Sequence, residues 1–239
     1  MMKSRALIIF SSVLLLIAGL GSSIANSETI AVIGTGNVAG ALGPAFAEQG
    51  HTIVYGSRDP SSESAQALVA RTSGNASVTN SSAAVVDAEI VVLAVPGKMV
   101  DEITRSLGDL SGKIIIDPTN PLSRTSDGFF VHASETSNTE IIQAAAPDSF
   151  VVKAFNTLNW KTMVDPESSG GPVSIPLAGN SADAKKTVAG LVEKMGLNPI
   201  DVGPVEHAIW LEGMLMLWIN NQYVNGPAFD FDLRITTQE

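Results

Sequence analysis

The sequence contains no cysteine, so disulfides, thiolate catalysis and thiolate-bound metals are excluded. It is short of positive charge: 14 Lys and Arg stand against 24 Asp and Glu, a formal charge of −10. The basic residues are nowhere clustered, and a nucleic-acid reader carries a basic patch, so that class is set aside. There are only three histidines, His51, His132 and His207, far apart and without metal-ligand spacing. They are expected to be structural. No Ser-His-Asp order and no carboxylate pair stands out, and no repeat or low-complexity tract is evident. Beyond residue 20 no run approaches the ~20 apolar residues that a membrane-spanning helix needs.

What is present fits a core-rich globular chain of 239 residues, 45% hydrophobic and 16% charged. The N-terminus reads as a targeting segment. Lys3 and Arg5 precede the apolar run "ALIIFSSVLLLIAGL" (Ala6 to Leu20), and Ser23 and Ala25 offer a small-residue cleavage site after Ala25. Residues 1–25 are therefore expected to be a signal peptide, and the protein to be exported, periplasmic or secreted. An uncleaved segment would anchor it by its N-terminus, and a true start nearer Glu28 would leave it cytoplasmic. The leader has no twin-arginine pair.

From Thr29 strand-like and helix-like pieces alternate. "TIAVI", "HTIVYG", "AEIVVLAVP", "KIIIDPTNP" and "SFVVKAFNT" read as buried strands, with helical stretches between them. One of those helices, "NVAGALGPAFAEQG", is expected despite Pro44. This rhythm predicts an α/β fold, a Rossmann-type doubly wound parallel sheet over 28–157. "LNWKTMVDPESSGGP" reads as a long polar loop. A strand-helix-strand unit and the helical "EHAIWLEGMLMLWINNQYV" follow. Residues 158–239 are thus a smaller C-terminal αβ extension, expected to complete the sheet and to carry dimer or substrate contacts.

"IAVIGTGNVAGAL" matches G-x-G-x-x-A through Gly34, Gly36 and Ala39. These small residues allow a tight turn, close backbone approach to a pyrophosphate and close helix–strand packing. Alone the pattern is common. Here it ends a predicted strand, opens a predicted helix and sits in a strand–helix–strand unit of about 30 residues, as dinucleotide binding requires. Cofactor choice is read after the second strand, where "VYGSRDP" gives Ser57 and Arg58 with no acid before them. A hydroxyl and a guanidinium suit a 2′-phosphate, so NADP is expected. The alternative is a solvated Arg58 with Asp59 on the ribose.

Together, "GTGNVAGAL", "VYGSRDP", "DPTNP", "VVKAFNT", "LAGNSADAK" and "DVGPVEHAIWLEGMLMLW" resemble the coenzyme F420-dependent NADP oxidoreductases from about Glu28 onward. The wider group includes the cytosolic domains of the six-transmembrane ferric reductases, and the N-terminal half is similar to the Rossmann domain of pyrroline-5-carboxylate reductases. The resemblance implies that Thr35, Gly36, Asn37 and Val38 line the pyrophosphate and that Ser57 and Arg58 hold the 2′-phosphate. It puts Val95, Pro96 and Ala154 beside the nicotinamide ribose. It also implies hydride exchange with a flavin or F420 and a homodimer. A basic residue found in some members shortly after the Ser-Arg pair is missing, since "SSES" stands there.

Hydride transfer asks for approach, alignment and a dry pocket rather than a protein acid or nucleophile, so no catalytic residue is assigned. Asn120, Asn156 and Thr157 lie where open α/β sheets bind ligands and would meet a substrate ring, or else cap turns. Lys153, inside a buried-looking strand, either approaches a phosphate or reaches solvent at the strand end. "WLEGMLMLW" would press on a flat ring or, more in keeping with such stripes, on core or a second subunit. Three functions follow: an NADP-dependent hydride transferase, a non-catalytic exported dinucleotide-binding protein, and a ferric reductase acting through a bound flavin. The partner in each is a small molecule, with no nucleic acid and no membrane beyond the leader.

Overall fold

The computed structural model describes residues 27–226 and 231–234. The expected leader, 1–25, lies outside them. Elements run β1 (Thr29–Ile33), α1 (Asn37–Glu48), β2 (Thr52–Ser57), α2 (Glu63–Arg71), β3 (Ala76–Asn80), α3 (Ser81–Ala84), β4 (Ile90–Leu93) and α4 (Val100–Ser106). Next come β5 (Ile114–Asp117), β6 (Leu122–Arg124), β7 (Phe130–His132), α5 (Asn138–Ala145), β8 (Phe150–Lys153) and α6 (Trp160–Val164). The chain continues through β9 (Ser174–Leu177), α7 (Ala182–Lys194), β10 (Asn198–Asp201) and α8 (Ala208–Asn225).

Six strands form one parallel sheet in the order β3-β2-β1-β4-β5-β8. This is the doubly wound α/β fold expected. Strand alternation divides the core. Ile30 and Val32 of β1 face Leu42 and Phe46 of α1 and, on the same side, Val188, Leu191 and Val192 of α7. Ala31 and Ile33 face the other way, with Val100 of α4 and Ile142 of α5. α1 runs unbroken through Pro44. A proline there forfeits one backbone bond, and Ala39, Leu42, Phe46 and Ala47, all buried on the sheet, hold the helix in place.

Five elements, β3, α3, β6, β7 and α6, were not foreseen. β3 is an edge strand of alternating half-buried residues, "ASVTN", too polar to register as a buried run. Its last residue caps α3, Asn80 Oδ1 accepting from the Ala83 N–H at 2.9 Å. β6 and β7 form a short antiparallel hairpin after the turn at 118–121. The polar stretch after 157 contains α6, whose cap is Asn159, accepting from the Lys161 N–H at 2.9 Å.

β9 and β10 pair in parallel around α7 as a separate two-stranded sheet. Its link to the main sheet is one antiparallel bridge, Lys153 to Ala178, with N–H to O distances of 2.8 and 3.3 Å. α8 then crosses back over the hairpin and α5. No helix among the described residues is long and apolar enough to cross a membrane.

Candidate functional site

The turn after β1 shapes the site. Gly34 sits at φ +111°, and a Cβ there would lie 2.2 Å from the Ala94 carbonyl oxygen, so only glycine fits. Its N–H donates to the Gly56 carbonyl at 2.9 Å, tying the turn to the end of β2. Gly36 is different. It stands at the N-cap of α1, offers no side-chain cap, and a Cβ added there would meet nothing within 4 Å. The first N–H groups of a twelve-residue helix are therefore left uncovered, with the positive end of its dipole.

That opening belongs to a cavity of about 890 Å³, in the range of ligand sites. The ends of β1, β2, β4 and β5 supply its walls. Nine of the ten expected cofactor residues line it: Gly34, Thr35, Gly36, Asn37, Val38, Ser57, Arg58, Val95 and Pro96. The tenth, Ala154, is fully buried, its N–H donating to the Asp117 carbonyl at 3.2 Å. Sequence reading missed Ser62, Ser64, Ser81, Met99, Glu102, Ile103, Ser106 and Pro118 of the lining. Ser81 follows the unforeseen β3, and the two serines belong to "SSES", where a basic residue was missed rather than a hydroxyl noticed.

Arg58 is exposed on the cavity rim and has no protein partner among the described residues. Asp59 is committed to its own turn. Its Oδ1 accepts from the Ser61 hydroxyl at 2.6 Å and the Ser61 N–H at 3.0 Å, and these bonds hold the carboxyl below its ordinary pKa. The Ser57 hydroxyl exchanges bonds with the Asp59 backbone at 3.0 and 3.2 Å.

Asn120, Asn156 and Thr157 lie behind the wall rather than on it. The Asn120 amide donates to the Asn156 carbonyl at 3.2 Å, and the Asn156 amide donates to Asn120 Oδ1 at 3.0 Å. Asn156 Oδ1 is buried with no partner among the described residues, and Thr157 is buried too. The residue before them, Phe155, has φ +64°, the one positive φ outside glycine among the described residues. Such a backbone costs about 1–3 kcal/mol and persists only where its surroundings impose it.

Lys153 does neither thing expected of it. It is fully buried, and its ammonium meets Asp117 Oδ2 at 2.8 Å, Glu212 Oε1 at 2.6 Å and the Thr119 carbonyl at 2.7 Å. Asp117 Oδ1 accepts from the Thr119 N–H and hydroxyl at 2.8 and 2.6 Å. Glu212 Oε1 also accepts the Asn138 N–H at 2.9 Å, and Glu212 Oε2 meets His132 Nε2 at 2.8 Å. No local pattern announces this cluster, because its members come from β5, β7, β8, α5 and α8.

Comparison with known proteins gives the family. The family model described as NADP oxidoreductase, coenzyme F420-dependent, matches residues 29–121. A solved structure designated an F420-dependent NADP-reductase, from Arthrobacter sp. FB24, is 32% identical with a TM-score of 0.79, covering 88% of this chain and 100% of that one. Metalloreductase STEAP3 of Rattus norvegicus is 29% identical over 190 residues, 77% of this chain. The chain spans 36% of that protein's length. A pyrroline-5-carboxylate reductase from Coxiella burnetii shares the fold, with a TM-score of 0.54 at 17% identity over 74% of this chain and 60% of that one.

Proposed function

The chain belongs to the coenzyme F420-dependent NADP oxidoreductase family, and from that premise we propose that it exchanges hydride between NADP(H) and a flavin or deazaflavin ring such as F420. The observation that carries this is the uncovered front of α1. Gly36 leaves space where any side chain would stand, and no side chain among the described residues caps the N–H groups behind it, which suits a pyrophosphate.

Arg58, unengaged at the rim, and the hydroxyls of Ser62 and Ser64 suit the 2′-phosphate. Val95, Pro96 and Thr119 form the far wall, on the β4 and β5 side, where the strand order leaves room for the nicotinamide. When bound, the dinucleotide supplies the hydride chemistry. The protein's part is to hold and orient it and to keep water from one face with Leu93, Ala94 and Val95. Asn120, Asn156 and Thr157 would steady that wall from behind, with Ala154.

We also read the protein as an exported homodimer. Trp210, Leu217 and Val224 on α8 are 73%, 69% and 63% exposed at a spacing of seven, which puts them on one helix face. The one charge on the helix, Glu212, is buried. The likeness to Metalloreductase STEAP3 supports a second reading, ferric reduction through a bound flavin.

The test is calorimetry with NADPH and NADH on the purified protein, followed by the nicotinamide absorbance after adding FMN, F420 or a ferric chelate with FMN. Tight NADPH binding and oxidation by a ring acceptor is expected. Oxidation only when iron is present would favour the second reading. Binding without any oxidation would leave an exported dinucleotide carrier, and no binding to a folded sample would end the proposal.

A further inference from the structure

We infer that Glu212, far from the cavity in sequence and absent from its wall, is a positioning residue that sets the nicotinamide end of the site through Lys153 and Thr119. The inference rests on the dinucleotide reading above.

Thr119 is the link. Its side lines the cavity, yet each of its polar groups is tied into the cluster behind. The N–H and hydroxyl donate to Asp117, the carbonyl accepts from Lys153, and the hydroxyl oxygen accepts from the Asn138 amide at 2.8 Å. Thr119 is thus a fixed wall whose place depends on Lys153 and Asp117.

Lys153 has three protons to donate and three oxygen partners, so it has no freedom of its own. Asp117 and Thr119 are parts of one turn. Glu212 is the one Lys153 partner that comes from outside β5 and the turn after it, and it is held in turn by Asn138 at the start of α5 and His132 on the hairpin. Where α8 sits therefore decides where Lys153 points, and through it the Thr119 carbonyl. Burying such a cluster is not needed for stability, since apolar side chains of similar volume serve as well. Its directed bonds give what apolar packing would not, a defined position for one carbonyl.

The phosphate end is built differently. Among the described residues Gly34, Gly36, Ser57 and Arg58 make no bond to the cluster, and β2 lies on the opposite side of β1 from β4 and β5. The two ends can therefore be separated by ligand. NADPH reaches both, whereas adenosine 2′,5′-bisphosphate reaches only the phosphate end.

Glu212→Ala leaves Lys153 still paired with Asp117, so no lone buried charge remains. The expected result is NADPH binding weakened about tenfold, with adenosine 2′,5′-bisphosphate binding within about twofold of wild type. Glu212→Gln, which retains an acceptor for Lys153, should restore NADPH to within about threefold. Should Glu212→Ala not fold, His132→Ala removes an outer anchor at a partly exposed site and should weaken NADPH about two- to threefold, again sparing the bisphosphate. Equal losses for both ligands, or no loss for either, in the folded variants overturn the inference. A wild type that binds neither ligand would instead remove the dinucleotide reading, and this inference with it.

Discussion

Two cations sit in the sheet's ligand-facing half and have opposite circumstances. Lys153 is fully buried and meets three oxygens within 2.8 Å. Arg58 is exposed at the cavity rim and meets none among the described residues. A buried ammonium must be paired, because desolvation of a lone charge is too costly. An exposed guanidinium needs no partner to be stable and stays available to a ligand. Burial therefore separates the charge fixed by its own partners from the charge left open to a ligand.

The largest effect should come from removing the buried cation. Lys153→Met leaves Asp117 and Glu212 as two carboxylates in a dry site with one ammonium fewer. A loss of about 3–5 kcal/mol is expected, visible as a fall of roughly 10 °C or more in melting temperature. A variant that melts with wild type would break the contrast. Next comes Gly36→Val, which projects a side chain into open space in front of α1. The fold should be retained, with NADPH binding lower by about a hundredfold, since the phosphates and the new methyls compete for one volume. Wild-type affinity there would put the ligand elsewhere.

Arg58→Ala sharpens the contrast from the other side. Melting should not change, while NADPH affinity falls about tenfold and NADH affinity changes little, measured by calorimetry at fixed salt. Equal losses for the two cofactors would take the 2′-phosphate away from Arg58 and favour the alternative, Asp59 on the ribose.

The smallest effect concerns a titrating group remote from the cavity. His51 is buried, and desolvation, then the Lys194 charge, lowers its pKa below 6.5. The unfolded chain then binds the proton more readily. The His51 contribution is present above pH 6.5 and is lost as pH falls through the folded-state value. Neighbouring Glu28, raised by desolvation and then by Glu89, works in the opposite sense, losing stability as pH rises from 4.5. His51→Gln should flatten the acid-side slope attributable to the imidazole, leaving NADPH affinity unchanged. Denaturant midpoints across pH 5 to 8 would check it.

How much could be read from sequence follows from how local each feature is. Gly34, Gly36 and Ala39 act within one turn, and β1, β4 and β5 are continuous apolar runs, so the phosphate end and the parallel sheet were legible. β3 was not, because a short edge strand gains its order from β2 rather than from its own polar sequence. Lys153 drew notice as a charge in an apolar strand, but its partners lie between 34 and 59 residues away in the chain. Glu212 stood in plain view inside "WLEGMLMLW", a single acid in an apolar helix. Read alongside Lys153, it was the available hint that the two were a pair.

The lone bridge between Lys153 and Ala178 bears on how the molecule avoids its own kind. A sheet rich in Ile and Val with an open margin invites strands from other chains. Here one margin is β3, brief and studded with Ser, Thr and Asn. At the other, β8 has its final residue already claimed by a neighbour running the opposite way. A newcomer aligning with β8 would find its ladder stopped at that rung, so crowding of folded copies should give discrete contacts through helices rather than endless stacking of strands.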